Sequence, residues 1–258
     1  MVQQLIPTRS DAVATGLTDE QLLAAYAPAP GPDPFVRFNF VSSADGAATS
    51  NGTSGPLGTA ADQRIFALLR RHADVILVGA GTIRAEGYAG ELLDHQAQEW
   101  RRARGLPGHP GIAVVSGSLD LDPASDFFTA SPVPVLVLTT AAADASRRSA
   151  LESVADVVTA GQDDVDPGLV VELLAGRGHR MVHSEGGPTL FASFQRADRV
   201  DSLCLTTSPV LVGGGERRIA VGEAGGLRPL DLAVLLEEDG ALFAEYRRGS
   251  GVRDSSSS

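Results

Sequence analysis

Short, uninterrupted apolar runs restrict the fold of this chain more than any other feature of its sequence. DVILVGAGT, GIAVVSGS and VPVLVLTT each hold several consecutive apolar residues. Such runs are typical of strands that are buried on both faces, as in a parallel sheet. Helical stretches such as AADQRIFALLRRHA and DPGLVVELLAGRG alternate with them. Because strands and helices alternate along one chain, the sequence predicts an α/β fold with a mostly parallel sheet.

The chain divides into an extension, one large domain and a tail. Residues 1–34 are expected to form an N-terminal extension with one short helix, because Thr18 and Gln21 are spaced as in a capping box. Residues 35–249 are expected to form the functional domain. Residues 250–258, which contain the serine-rich stretch GVRDSSSS, are expected to be disordered.

Three further segments indicate strands, and one indicates a functional loop. FVRFNFVSS is rich in β-forming residues and predicts a strand. VDSLCLTTSPVLVGGG predicts a long strand, and GALFAEYRR predicts a strand at the edge of the sheet. ADGAATSNGTSGPLGT is too long for a plain connection, and long polar loops of this kind tend to carry function.

The composition is that of an ordinary globular protein and excludes several kinds of site. The chain has 258 residues and a formal net charge of −11, which argues against nucleic acid or an anionic membrane as the main partner. A single cysteine, Cys204, excludes an internal disulfide framework and a multi-cysteine zinc site, so no metal is expected. We find no signal peptide and no apolar run near the roughly 20 residues that span a bilayer. A cytoplasmic protein is the expectation.

All basic side chains of the chain other than histidine are arginine, because the sequence contains no lysine. Schiff-base chemistry and a Walker-type phosphate loop both need the lysine amine and are therefore excluded. A bound phosphate must be held by arginine, backbone amides or hydroxyls.

The segment MVHSEGGPTLFASF predicts a strand, a Gly-Gly turn and the start of a helix. Gly186 and Gly187 allow backbone conformations or a close approach that a side chain would block. Pro188 suits the first turn of a helix. Bare amides at such a helix start form an anion site. The same residues are equally consistent with a tight turn that binds nothing.

The segment VILVGAGTIRAEG resembles a dinucleotide-binding fingerprint without completing it. The pattern needs a third glycine where this chain has Arg84. The small residues from Gly79 to Thr82 are still able to contact a pyrophosphate, or they form only a tight turn. A catalytic triad of the G-x-S-x-G type and a zinc deaminase signature are both absent from the sequence.

These segments together resemble the reductase domain of bacterial riboflavin biosynthesis. The resemblance rests on FNFVSSADG, on LVGAGT and EGGPTL about a hundred residues apart, on VVSGS and on RVDSLCLTTSPVLVGGG, and it runs from about Phe35 to about Tyr246. It implies a dihydrofolate reductase-like three-layer fold, with a mixed, mostly parallel sheet and flanking helices. It also implies NADPH as cofactor and a homodimer.

The resemblance implies a cofactor site built from separate parts of the chain. Gly186, Gly187 and the helix after them would hold the pyrophosphate, with Gly81 and Thr82 opposite. Ser116 and Gly117 match the position of the adenosine 2′-phosphate, and Val41 and Ser42 match the nicotinamide side. The complete predicted set is Val41, Ser42, Gly81, Thr82, Glu86, Ser116, Gly117, Gly186, Gly187, Pro188, Thr189 and Leu190.

The resemblance also implies a substrate site. Ser54, Arg70 and Glu185 match substrate-contacting positions. Arg70 would bind a substrate phosphate, and Glu185 would orient and protonate the hydride acceptor. The implied reaction converts a 5-amino-6-(5-phosphoribosylamino)uracil-like pyrimidine into its ribitylamino product.

One departure from the family pattern leaves the substrate open. Glu86 stands where the pattern has an aspartate, and the Pro-Leu-Thr segment that follows in the pattern is missing. A pteridine such as dihydrofolate is the alternative substrate, with Asp62 facing the pterin ring. A non-catalytic nucleotide-binding protein is the alternative from another class.

Overall fold

Eleven strands form one mixed sheet in the computed structural model, which describes residues 3–6, 14–28, 34–88, 90–223 and 225–249. The strands are β1 Gln3–Ile6, β2 Ala14–Thr15, β3 Phe35–Ser43, β4 Val75–Gly79, β5 Gly111–Val115, β6 Val135–Thr139, β7 Ala155–Thr159, β8 Met181–Ser184, β9 Ser202–Ser208, β10 Leu230–Glu238 and β11 Ala241–Arg248. The helices are α1 Asp19–Ala25, α2 Ala60–His72, α3 Ala80–Glu86, α4 His95–Arg102, α5 Asp126–Thr129, α6 Ala145–Glu152, α7 Pro167–Gly176 and α8 Pro188–Arg196. A 3-10 turn spans Gly55–Leu57.

The strands lie in the order β2-β1-β10-β11-β9-β3-β8-β4-β5-β6-β7. All neighbours from β9 to β7 are parallel. All neighbours from β2 to β9 are antiparallel. The predicted mixed, mostly parallel sheet is therefore confirmed, and its central strands place their carboxyl ends along one edge.

Helices cover both faces of the sheet, which explains the uninterrupted apolar runs. On one face, Leu77 and Val182 belong to the same buried cluster as Leu174 of α7 and Phe194 of α8. On the other face, α1 and α2 pack against the antiparallel strands through a second buried cluster. A strand such as β4 is buried on both faces, so polar and apolar residues do not alternate along it.

The prediction of an edge strand at GALFAEYRR was wrong. This segment forms β11, which lies between β10 and β9. The sequence analysis missed β10, and β10 is the strand that covers the expected edge. The run VDSLCLTTSPVLVGGG also forms less strand than predicted, since β9 ends at Ser208. Pro209, which has no N–H for the ladder, follows directly.

The N-terminal residues contribute to the sheet as well as to a helix. α1 begins with the expected capping box, in which Thr18 and Gln21 exchange side-chain and backbone hydrogen bonds. β1 adds to the sheet next to β10. The predicted disordered tail, residues 250–258, lies outside the described residues. Within the described ranges, no helix has the length and apolar character to cross a membrane.

Candidate active site

Two connected hollows lie at the carboxyl ends of the central strands. The inner cavity, of about 440 Å³, lies between α2, the end of β3 and the residues after α3. The long groove, of about 980 Å³, follows the ends of β4 and β5 and the start of α8. Both are bordered by the same five residues, which are Thr49, Thr82, Glu86, Gly187 and Pro188. A molecule in the groove and a molecule in the cavity would therefore touch.

Glu185 lines the inner cavity directly after β8, and its carboxylate is held on both oxygens. Arg70 of α2 donates from Nε to Oε1 at 2.6 Å and from Nη2 to Oε2 at 2.8 Å. The Tyr88 hydroxyl donates to Oε2 at 2.5 Å. The side chain of Glu185 is only 1% exposed. The carboxylate is thus fixed in place by two elements that are distant in sequence.

These contacts decide the charges at this end of the cavity. Burial raises the pKa of Glu185, but the charge and hydrogen bonds of Arg70, with the bond from Tyr88, outweigh it and hold the pKa below its ordinary value. Burial, followed by the charge of Glu185, raises the pKa of Tyr88 well above its ordinary value. At neutral pH Glu185 is therefore ionised, and Tyr88 keeps its proton.

The Arg70 guanidinium, which was expected to bind a substrate phosphate, is bonded to protein acceptors in the structure. Its third nitrogen, Nη1, donates to the Leu92 carbonyl at 3.0 Å, so all three guanidinium nitrogens have protein acceptors. The Arg70 Cζ atom also lies 4.3 Å from the centre of the Phe66 ring. The side chain is in the predicted cavity, but its charge is already paired with Glu185.

His183 lies beside the same ion pair without joining it. Its ring is fully buried, and its Nε2 atom is 3.9 Å from Glu185 Oε1. Burial lowers the pKa of His183 to about 3. The ring is therefore neutral and is packed inside the protein.

The Gly186-Gly187 turn is tightly enclosed, which explains why both positions are glycine. Gly186 has a φ of +88°, and a Cβ atom there would lie 3.0 Å from the Phe40 ring. A Cβ atom on Gly187 would lie 2.7 Å from Thr82 Oγ1. The peptide between the two glycines is cis. Gly187 borders both hollows, whereas Gly186 packs against Phe40 and lines neither of them.

The start of α8 faces the long groove, as the sequence predicted. Pro188, Thr189 and Leu190 line the groove, with Gly81 and Thr82 among the residues that complete it. Amides in the first turn of a helix have no partner within the helix and carry the positive end of its dipole. This wall of the groove therefore suits an anion.

Ser116 and Gly117 line the long groove at the end of β5. The Ser116 side chain is buried, and its Oγ atom has no hydrogen-bond partner among the described residues. A buried hydroxyl without a partner is a position at which a ligand can supply one. Arg84 lines the same groove, and its Nη1 atom donates to the Asp120 carbonyl at 2.6 Å.

Val41 and Ser42 are separated by the geometry of β3. Val41 lines the inner cavity, but Ser42 is buried and lines neither hollow. Adjacent side chains of a strand point to opposite faces, so the Ser42 side chain does not face the cavity that Val41 lines, and a place for Ser42 at the cofactor stays a prediction.

Ser54 and Glu86 form a bridge at the junction of the two hollows. The backbone N–H and the hydroxyl of Ser54 both donate to Glu86 Oε1, at 2.8 and 2.9 Å. The polar loop after β3 is thereby joined to the end of α3. Ser54 is one of the residues predicted to bind the substrate, and Glu86 is one of those predicted to bind the cofactor.

Asp62, in the first turn of α2, lines the inner cavity. Its Oδ1 atom accepts a hydrogen bond of 2.6 Å from the Thr206 hydroxyl on β9. Burial raises the pKa of Asp62, and the bond from Thr206 partly opposes this. Asp62 is thus one of four carboxylates that line the cavity, together with Glu86, Glu91 and Glu185.

Several residues of the site were missed by the sequence analysis. Tyr88 lies in the segment that departs from the family pattern, so the pattern gave no position for it. Thr206 was hidden within a strand. Glu216 and Arg217 line the groove directly after the segment RVDSLCLTTSPVLVGGG, which gave no role to either residue. The Thr49 hydroxyl donates to Glu216 Oε2 at 2.5 Å, which joins this segment to the polar loop.

A long groove joined to a smaller cavity with fixed charges suits an enzyme that holds a cofactor and a small substrate side by side. The chain belongs to the RibD C-terminal domain family, which it matches over residues 34–238.

Curated relatives and a solved structure agree with this family. The chain is 31% identical over 193 residues to the 2,5-diamino-6-ribosylamino-4(3H)-pyrimidinone 5′-phosphate reductase of Methanothermobacter thermautotrophicus, covering 74% of this chain and 85% of that protein. It is 27% identical over 182 residues to the protein of the same name from Archaeoglobus fulgidus, covering 70% and 83%. A pyrimidine reductase-like protein from Corynebacterium diphtheriae superposes with a TM-score of 0.79 at 28% identity, covering 90% of this chain and 98% of that one. The predicted family and fold are confirmed.

Proposed function

We propose that the protein is an NADPH-dependent reductase of a pyrimidine that carries a ribosylamino phosphate group. The reaction reduces C1′ of the ring-opened ribosylamino group and gives the ribitylamino product. The observation that carries the proposal is the wall shared by the two hollows, which includes Thr82, Gly187 and Pro188. A reactant in the inner cavity lies directly against a nucleotide in the long groove, as a transfer between them requires.

The residues of the long groove fit a phosphorylated dinucleotide. Gly187 and the amides at the start of α8 accommodate a pyrophosphate, with Gly81 and Thr82 opposite. The unpartnered hydroxyl of Ser116 supports a polar contact to the adenosine 2′-phosphate. NADPH, when bound, supplies the hydride.

The fixed charges of the inner cavity orient the substrate. Ionised Glu185 accepts hydrogen bonds but has no proton to give, so its role is to position a substrate N–H or O–H group. Tyr88 also keeps its proton at neutral pH. When hydride adds to C1′, Glu185 is therefore not the donor of the proton that joins the nitrogen on C1′. Arg70 is the residue that keeps Glu185 ionised and in place.

A pteridine reductase on the same fold is the second candidate function. Asp62 favours it, because a half-buried carboxylate in the cavity suits the amino-substituted ring of a pterin. The same carboxylate is also compatible with an amino-substituted pyrimidine.

The substrate assay separates these candidates. Purified protein is mixed with NADPH and either the pyrimidine ribosyl phosphate or dihydrofolate, and the nicotinamide absorbance band is followed. Loss of absorbance with the pyrimidine supports the proposal, and loss with dihydrofolate alone supports the second candidate. Unchanged absorbance with both compounds contradicts both. Glu185→Gln, which removes the charge that Arg70 binds, serves as the inactive control.

We propose further that the protein is a homodimer that uses its C-terminal strands. Leu211 and Leu227 are 80% and 100% exposed, and Leu232 of β10 and Leu242 of β11 are also exposed. Large apolar side chains that stay exposed in this C-terminal part of the chain favour an interface there. Sedimentation at micromolar concentration is expected to give the mass of two chains, and the mass of one chain would contradict the dimer.

A further inference from the structure

Among the described residues, three arginines line the two hollows, and they differ in whether the protein already occupies them. They are Arg70 in the inner cavity and Arg84 and Arg217 in the long groove. All three guanidinium nitrogens of Arg70 donate to protein acceptors. Arg84 Nη1 donates to the Asp120 carbonyl at 2.6 Å and lies 3.5 Å from Asp120 Oδ2. The exposed side chain of Arg217 has no hydrogen bond or ion pair within the part of the chain that the structure describes.

The backbone around Arg217 is held by two other segments of the site. The Ala48 N–H, in the polar loop after β3, donates to the Arg217 carbonyl at 2.7 Å. Further along the same segment, the Val221 N–H donates to the Pro188 carbonyl, in the first turn of α8, at 3.1 Å. The segment that carries Arg217 is therefore fastened to the helix start that faces the groove, while its guanidinium remains unpaired.

The carboxylates of the long groove leave Arg217 unneutralised. Glu216, its neighbour in the chain, accepts a hydrogen bond from the Thr49 hydroxyl at 2.5 Å and forms no ion pair with a described arginine. Glu86 and Asp164 also line the groove. These negative charges oppose the binding of a multiply charged anion unless a cation with free donors lies close to it. The sequence contains no lysine, so an arginine must be that cation.

We propose that Arg217 binds the pyrophosphate of the cofactor together with the start of α8. The inference rests on the proposed function and assigns to it a binding residue that no sequence motif indicates. The helix start supplies backbone amides and the positive end of its dipole. Arg217 adds a full positive charge and a planar set of N–H donors that suits phosphate oxygens. Arg70 cannot take this role, because its charge is paired with Glu185.

The experiment measures the Kd of NADPH and of NADH by calorimetry for the full chain and two variants. Arg217→Ala should raise both Kd values by a similar factor of about 10 to 100, the range expected for a charged hydrogen bond. The factor is shared because both cofactors contain the pyrophosphate, whereas only NADPH carries the 2′-phosphate. Arg218→Ala is the matched control, since it changes the net charge equally at an exposed neighbour that lines a different hollow. It should leave both Kd values within about twofold of the wild type, as expected for an exposed charge away from the anion.

Unchanged Kd values in Arg217→Ala would overturn the inference, and so would an equal loss in Arg218→Ala, which would trace the effect to net charge alone. A loss confined to NADPH would assign Arg217 to the 2′-phosphate and overturn the pyrophosphate assignment. Cofactor binding without turnover of any substrate would contradict the proposed function and leave the Kd comparison to decide about Arg217. A wild type that binds neither cofactor would contradict both. Thermal unfolding of each variant verifies that it is folded.

Discussion

Arg70 and Glu185 are joined by hydrogen bonds of 2.6 and 2.8 Å although 115 residues separate them in the sequence. The pair connects the last turn of α2 to the end of β8 at the base of the inner cavity. Because both oxygens of Glu185 and all three nitrogens of Arg70 are occupied, neither side chain is free to rotate. The position of the carboxylate against the substrate is therefore set before any ligand binds.

Arg70→Ala should shift the acid limb of the pH–activity profile to higher pH. In the wild type, Arg70 holds the pKa of Glu185 below its ordinary value, whereas burial alone would raise it. The variant therefore needs a higher pH to ionise Glu185, while its NADPH affinity stays nearly unchanged. The measurement is kcat/KM against pH. Arg64→Ala, which removes a surface arginine from the same helix, is the control, and an unmoved acid limb in Arg70→Ala would refute the assignment.

The same pair should make the stability of the fold depend on pH in the acid range. The pKa of Glu185 is lower in the folded than in the unfolded chain. Its stabilising contribution is therefore complete above the unfolded pKa and is lost as the pH falls through the folded pKa. Urea denaturation of the wild type and of Glu185→Gln at neutral and acid pH tests this. The difference in unfolding free energy between the two proteins should shrink toward low pH.

Gly187→Val should weaken NADPH binding sharply. A Cβ atom at this position would lie 2.7 Å from Thr82 Oγ1, so the turn must move away from the groove. Losing two amide contacts to an anion, each worth about 1.5–3 kcal/mol, lowers the affinity by at least about a hundredfold. Cofactor titration by calorimetry is the measurement. Gly176→Ala, at a helix position with open space around it, is the control. Normal NADPH binding by Gly187→Val would mean that the Gly186-Gly187 turn has no part in cofactor binding.

Ser116→Ala and Arg84→Ala should each reduce the preference for NADPH over NADH. Both side chains line the groove at the end of β5, and the Ser116 hydroxyl lacks a protein partner among the described residues. Removal of a contact to the 2′-phosphate weakens NADPH binding and leaves NADH binding unchanged. Titration of both cofactors measures the ratio. Equal wild-type affinity for the two cofactors would contradict NADPH as the natural cofactor.

Arg37→Ala should destabilise the fold without a direct effect on the site. Arg37 and Glu245 are both fully buried, and Arg37 Nη2 donates to Glu245 Oε1 at 2.9 Å. Glu245 keeps its ion pair with Arg247 when Arg37 is removed, so the lost charged hydrogen bond should cost about 1.5–3 kcal/mol. Arg104→Ala breaks an exposed pair with Glu20 and should cost under about 1 kcal/mol. Similar urea midpoints for the two variants would contradict this difference.

The parallel half of the fold was predictable from sequence because its strands are buried on both faces. β4, β5 and β6 coincide with the uninterrupted apolar runs. β10 was missed because its first residues are exposed and its position depends on pairing with β11 and β1. Pairing between strands that are distant in the chain cannot be read from the local sequence of either strand.

The site was predictable where glycine or helix starts were required, and less so elsewhere. The turn before α8 and the serine after β5 lie at the groove as expected. Ser42 follows Val41 on β3, and its side chain is buried on the other side of the strand, away from both hollows. Tyr88 and Thr206 act through contacts with Glu185 and Asp62, and those contacts exist only after distant segments have packed.

The central position of β3 affects how long this strand stays unpaired during synthesis on the ribosome. Phe35 lies opposite Met181 of β8, and Arg37 lies opposite Ser202 of β9. At about 5–20 residues per second, β3 leaves the ribosome on the order of 10 s before either neighbour has been made. Throughout that delay the aromatic side chains of Phe38 and Phe40 have no sheet to pack in. The strand that lines the inner cavity through Phe40 and Val41 thus gains its neighbours in the sheet only after most of the chain has been made.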